Sequence, residues 1–141
     1  MVSYLIETSV ITRLRARDSR IRDALQSLRQ SSPGVLIGRC TLTDLEIGFS
    51  AQNVAQWDTR SDLLAAFTTI AVTEADIATA IQLQRRLAGA SLAGRKVPDL
   101  IIAATAITNG LTLVHYDRDF EHIATISALQ HQWIVPSDVV D

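Results

Sequence analysis

Fifteen acidic side chains are spread along the 141 residues, and a few fall where a fold would gather them. The stretch YLIETSV, residues 4–10, runs from an apolar segment straight into Glu7. Asp117 and Asp119 follow the apolar LTLVHY in the same way, and Asp99 opens the apolar run DLIIAATAIT behind Pro98. In TDLEIG, Asp44 and Glu46 are two positions apart. On a helix they would point ~200° from each other, so only one can face a shared pocket. Carboxylates forced together repel, and their pKa values rise unless a cation joins them. Oxygen ligands without His or Cys at ligand spacing suit Mg²⁺ or Mn²⁺ rather than zinc. Such ions activate water, orient a phosphate and neutralise charge on a leaving oxygen. Strand-end acids beside a basic N-terminal helix therefore point to metal-dependent phosphodiester hydrolysis. Taken singly, Asp99 has a second reading as a first-turn acid favoured by the helix dipole.

The elements that must position these acids are legible in the apolar pattern. Residues 2–6 read as a short buried strand, with Thr8 or Ser9 as the cap of the next helix. Ser19 is expected to cap a second helix, whose Ile21, Ala24, Leu25 and Leu28 share one face. A strand over 35–40 leads into the helix carrying TDLEIGFSA, and residues 53–67 are helical. A third strand is expected over 70–72, and Thr73-Glu74-Ala75-Asp76 resembles a capping box. The helix it opens runs to about residue 88 and ends in a Gly/Ala/Ser-rich loop. Pro98 suits a first helical turn, and the helix behind it is apolar on nearly every side, hence buried. Asn109-Gly110 stops that helix. A strand over 111–115, a short helix over 120–126 and a last strand over 133–135 complete the chain. Short apolar strands alternating with helices predict an α/β domain, a parallel sheet covered on both faces, spanning 1–141 as one unit. In such sheets functional groups collect at the carboxyl ends of strands.

Composition narrows the class. Apolar residues make up 48% and charged residues 20%, as in globular rather than disordered chains. No apolar run reaches the ~18 residues of a membrane span, and the N-terminus lacks a secretory signal pattern, so a cytosolic protein is expected. Cys40 is single, which leaves no intrachain disulfide. The net charge of −2 hides an uneven distribution, with Arg13, Arg15, Arg17, Arg20, Arg22 and Arg29 crowded near the start and Arg95-Lys96 forming a second basic spot. Arginine suits bidentate phosphate contacts, although a solvated helix face explains the cluster equally well. Arg39 is a further candidate for such contacts or a plain surface residue. His115 is expected to be packed or hydrogen-bonded, and His131 has no partner at ligand spacing. Trp57 and Trp133 suit packing or an interface.

Together, YLIETSV, TDLEIGFSA, KVPDLIIAATAITNGLTLVHYDRDFEHIA and the closing WIVP resemble PIN-domain proteins of the VapC toxin type, nearly end to end. The resemblance implies a PIN-like α/β fold around a parallel sheet of about five strands. It also implies Mg²⁺- or Mn²⁺-dependent cleavage of RNA, a homodimer, and neutralisation by a cognate VapB-type antitoxin. Position by position, the catalytic acids fall on Glu7, Glu46, Asp99 and Asp117. The metal would be held by Glu7, Asp99 and Asp117, with Asp119 beside them. The family pattern LE-x-G-x-SA selects Glu46, with Asp44 as the rival. Ser9 matches the hydroxyl of the family's D-T-S and is expected to bond an acid or a metal-bound water, or to cap the helix. Arg13, Arg15, Arg17, Arg95 and Lys96 are candidates for gripping RNA.

Glu7 departs from the family, which has aspartate there. Its extra methylene adds roughly 1.5 Å of reach, so the side chain must fold back, shift the metal or leave a water between. A displacement of ~1 Å can cost ~10²-fold in rate. The rival reading is therefore a catalytically weakened PIN domain that acts mainly by binding antitoxin or RNA. A receiver-type phosphoacceptor, the other Mg²⁺-binding α/β class, needs a lysine on a late strand. The single lysine, Lys96, lies in a loop.

Overall fold

Apolar triplets separated by amphipathic helices give, in the computed structural model, a chain described over residues 3–137. In order, the elements are β1 (Tyr4–Ile6), α1 (Thr8–Arg15), α2 (Ser19–Arg29), β2 (Ile37–Cys40), α3 (Thr41–Gly48), α4 (Val54–Leu64), β3 (Thr68–Ile70), α5 (Glu74–Gly89), α6 (Val97–Thr108), β4 (Thr112–His115), α7 (Asp119–Thr125) and β5 (His131–Trp133). The strands form one five-stranded sheet in the order β3-β2-β1-β4-β5, and every pairing is parallel. The expected PIN-like layout is the observed one. Val2, expected in the first strand, lies outside the described residues.

Alternation along each strand divides the core in two. Leu5 and Leu113 face the layer built by α5, α6 and α7, where Leu83, Leu87, Ile102 and Phe120 pack. Tyr4, Ile6 and Val114 face the other layer, with Val10, Ile11, Ile21 and Leu64. Helix α6 buries Leu100, Ile102, Ala103, Ala104, Thr105 and Ala106, as its all-round apolar sequence requires. The chain builds β2 and β3 outward from β1, then returns to add β4 and β5 on the other side. Connections thus leave the carboxyl ends of β1 and β4 in opposite directions, which opens a crevice between them.

Several boundaries differ from expectation, with β2 starting only at Ile37 and α4 ending at Leu64. Glu7, not Thr8 or Ser9, caps α1, accepting the Ser9 N–H. Asp18, not Ser19, caps α2. The third strand is Thr68–Ile70, two residues early, because the Val72 N–H is taken by Thr41 Oγ1 at 3.1 Å and leaves the ladder. The last strand is His131–Trp133; the apolar Ile134 and Val135 that drew the expectation lie beyond it and pack in the core. Both shifted strands, β3 and β5, are sheet edges, where half-exposed pairing weakens the apolar signal.

The expected capping box is present and does more than start a helix. Asp76 is 1% exposed; it accepts the Thr73 N–H at 2.9 Å and donates its own N–H to Thr73 Oγ1 at 3.2 Å. Its second oxygen accepts the hydroxyl of Thr108, in the last turn of α6. The box therefore fastens the start of α5 to the end of the helix that carries Asp99. Asp76→Ala is expected to lower stability by about 1–2 kcal/mol through the lost cap and the lost bond to Thr108, measured as a shifted urea midpoint. A loss within about 0.5 kcal/mol would show that the network contributes nothing.

Candidate metal centre

Each acid reaches the crevice on a different element. Glu7 follows β1, and its N–H continues the ladder to the Val114 carbonyl at 2.9 Å. Asp117 lies two residues beyond β4, and Asp119 opens α7. Asp99 sits in the first turn of α6 and is 5% exposed. Carboxylate oxygens of Asp99, Asp117 and Asp119 all lie within 4.8 Å of one another.

Glu7 stands next to this group and is held differently. It is 4% exposed, and its Oε1 accepts the Ser9 N–H at 3.0 Å and the Ser9 hydroxyl. Ser9 Oγ in turn accepts the Tyr116 N–H at 2.9 Å. Ser9 thus clamps the start of α1 to the loop carrying Asp117, so its expected acid contact and a place at the helix start coexist. The longer glutamate has folded back onto its own helix.

Asp44 and Glu46 diverge as their spacing requires. Asp44 takes a two-pronged contact from Arg39, at 2.8 and 3.1 Å. Arg39 also donates to the Leu64 carbonyl at 2.9 Å and to that of Phe67. That arginine is therefore a clamp joining β2, α3 and the end of α4, not a free phosphate ligand. Glu46 turns the other way: its Oε1 accepts the Thr8 hydroxyl at 2.7 Å, and its charge is felt at Asp99. Since Thr8 spends its proton on Glu46, Thr43 must donate to Thr8 Oγ1 at 2.9 Å. This hydroxyl chain has one sequence signal, the Thr8 in ETS.

His115 is buried and orders the Asp117 loop. Its Nδ1 accepts the Asp117 N–H at 3.2 Å, which places the ring proton on Nε2, facing His131 Nδ1 at 2.9 Å. Burial, then the neighbouring His131, push its pKa down to about 3, so the ring is neutral. His131, which had no partner at ligand spacing, finds one across β4 and β5. Trp133 packs against Tyr116 edge-on and donates to Glu121 at 2.7 Å, while Trp57 is half-exposed.

The candidate basic residues scatter. Arg95 Nη1 contacts Asp119 Oδ1 at 2.7 Å, and Lys96 caps α6, where its charge partly offsets the others at Asp99. Arg13 lies over the Tyr116 ring at 4.4 Å. Arg15 and Arg17 line an open hollow of about 600 Å³ with Gln56 and Arg60. They lie at the far end of α1 from Glu7, roughly 12 Å along the helix by its rise.

Burial raises the Glu7 pKa to about 8, only partly offset by Ser9 and reinforced by the Asp99 and Asp117 charges. Asp99 rises to about 7, through burial first and then through Asp117, Asp119 and Glu46. Asp99 Oδ2 is buried with no hydrogen-bond partner among the described residues. An orphaned oxygen of this kind beside two more carboxylates fits a hard divalent cation, which would satisfy it and reverse the repulsion.

Comparison with known proteins agrees with this geometry. A family model described as PIN domain matches residues 4–126. The chain is 40% identical over 140 residues to Ribonuclease VapC51 of Mycobacterium tuberculosis, covering 99% of this chain and 98% of that one. It is 34% identical to Ribonuclease VapC21 of the same organism, covering 94% of each. Among solved structures, VapBC-1 from nontypeable Haemophilus influenzae superposes with a TM-score of 0.78 at 21% identity, covering 95% of this chain and 98% of that one. VapBC2 from Rickettsia felis, bound to a promoter DNA fragment, gives 0.76 at 19%, covering 94% and 98%.

The raised Glu7 pKa has a stability signature in the metal-free chain. Between its ordinary value of 4.5 and about 8, the folded state keeps a proton that the unfolded state has lost, so stability falls as pH rises through that window. Glu7→Gln, which mimics the protonated acid, is expected to match the wild type near pH 5 and to exceed it in stability near pH 9. Chemical denaturation in a chelator at both pH values measures the difference; a pH-independent gap would show that Glu7 is ionised throughout.

Proposed function

The chain belongs to the PIN-domain family, and on that premise we propose that it is a metal-dependent endoribonuclease, the toxin of a VapBC-type toxin–antitoxin pair. The observation that carries this reading is the convergence of Asp99, Asp117 and Asp119, with Asp99 Oδ2 lacking a hydrogen-bond partner among the described residues. We read residues 1–141 as one such domain, since β5 lies outside the matched 4–126 and completes the same sheet. The relatives' names as ribonucleases support RNA as the substrate. The VapBC assemblies among the structural neighbours suggest a VapB-type antitoxin as partner. A homodimer acting in the cytoplasm accords with these, and among the described residues no helix is long and apolar enough to cross a membrane.

Asp99, Asp117 and Asp119 would hold the ion, with Mg²⁺ favoured for an all-oxygen site and Mn²⁺ able to replace it. When bound, the ion supplies charge neutralisation and Lewis acidity for attack of water on phosphorus. Glu46, oriented by Thr8 and Thr43 and near enough for its charge to act on Asp99, would accept a proton from the attacking water. Ser9 fixes the spacing between Glu7 and the Asp117 loop. Lys96, whose charge acts on Asp99, and Arg13 would contact the RNA backbone, a salt-dependent contribution. Arg15 and Arg17, farther along α1, would serve a longer RNA or the antitoxin.

A weakened enzyme that acts chiefly by binding is the second reading, favoured by the fold-back of Glu7 onto Ser9. Total cellular RNA incubated with and without Mg²⁺ separates the two. Cleavage at discrete sites that needs the metal and drops roughly 10²- to 10³-fold in Asp99→Asn supports the enzyme. RNA binding without cleavage supports the alternative, and cleavage that survives Asp99→Asn would sink the assignment. Restoring the family residue, Glu7→Asp, is expected to speed cleavage by about tenfold at matched Mg²⁺. An unchanged rate would show that the fold-back does not attenuate the site.

A further inference from the structure

Among the clustered acids, Asp119 is the one that the structure supplies with a cation. Asp99 Oδ2 has no hydrogen-bond partner among the described residues, Asp117 Oδ1 takes a backbone N–H from Asp119 at 2.9 Å, and Glu46 and Glu7 take hydroxyls. Asp119 Oδ1 instead takes the Arg95 guanidinium at 2.7 Å. The contact is prearranged from the arginine side: Arg95 Nε donates to the Leu92 carbonyl of its own loop at 3.2 Å. Both partners are partly shielded, at 22% and 28% exposure. Arginine cannot neutralise itself by losing a proton at any physiological pH. Its charge therefore always favours the metal-free cluster and always opposes a divalent cation entering beside it.

Resting on the metal-site reading above, we propose that Arg95 is a built-in competitor for the cation at Asp119. It stands in for the ion when the site is empty and must yield its hold on Asp119 when the ion enters. It is a positioning residue: it acts on the metal through Asp119 and touches no reacting atom. The alternative geometry, in which Arg95 orients Asp119 and helps it bind the ion, predicts the opposite sign of effect.

The test uses the intact chain and Mn²⁺ as the probe, titrated by electron paramagnetic resonance without RNA, so no activity is read. Arg95→Gln is expected to tighten Mn²⁺ binding by about tenfold, the scale of a lost charge-assisted hydrogen bond to a carboxylate. In an Asp119→Asn background the same substitution should have no effect. Lys96→Gln, which removes a neighbouring charge with no contact to Asp119, should change affinity less than about twofold. In chelator, Arg95→Gln should melt at a lower temperature than the wild type, since the cluster has lost its stand-in. Weaker Mn²⁺ binding by Arg95→Gln would make Arg95 an orienting residue and overturn the proposal. So would an effect that persists with Asp119→Asn or is matched by Lys96→Gln. If Mn²⁺ binds the wild type and Asp99→Asn abolishes it while Arg95→Gln changes nothing, the metal site stands and this inference alone falls. If the wild type binds no Mn²⁺, both fall.

Discussion

Carboxylates brought together from four separate segments repel one another, and the arrangement around them answers that repulsion. The crevice between β1 and β4 is the place where a parallel sheet exposes strand ends from both directions of winding, so acids placed just past those strands must meet. Burial makes the meeting harder, because each charge loses water as it gains like-charged neighbours. Three devices make it tolerable without a metal. Glu7 and Asp99 hold protons near neutrality, Arg95 neutralises Asp119, and backbone N–H groups at the starts of α1 and α7 bond Glu7 and Asp117.

The surrounding architecture is a rigid mount for that compromise. Asp99 rides on the most deeply buried helix of the chain, and the Asp76 network ties that helix's far end to α5. The Asp117 loop is fixed where it leaves β4, through two consecutive amides: Ser9 bonds the Tyr116 N–H and His115 accepts the Asp117 N–H. A neutral imidazole is needed there, since a protonated ring has no acceptor to offer. Its burial and its His131 neighbour keep it in that state.

Much of this is legible in the sequence, for identifiable reasons. Asp99 is legible only together with the other acids, because a carboxylate in a first helical turn is by itself explained by the helix dipole. Glu7 and Asp117 stand out because short buried strands end at them. The strand positions that fail, β3 and β5, are edges, where apolar content marks the approach to the core rather than the paired residues. Other features depend on distant partners that no local pattern reveals. Arg39 decides which way Asp44 points, from five residues upstream and through carbonyls of a later helix. His131 meets His115 only because β5 pairs beside β4. Whether an extra methylene at Glu7 reaches forward or folds back depends on Ser9, whose hydroxyl is itself held by Tyr116.

The pairing of β1 with β4 also determines when the site can exist. Tyr4 pairs with Thr112, a partner made roughly a hundred residues later, and chains emerge N-terminus first. Parallel pairings of such long sequence separation are slow to form, because loop closure must precede their reward. Glu7 therefore leaves the ribosome long before Asp99, Asp117 or Asp119, and a partial chain ending before β4 lacks Asp117 and Asp119. Without β4 the crevice has one wall, so the acids meet only when the chain is nearly all made.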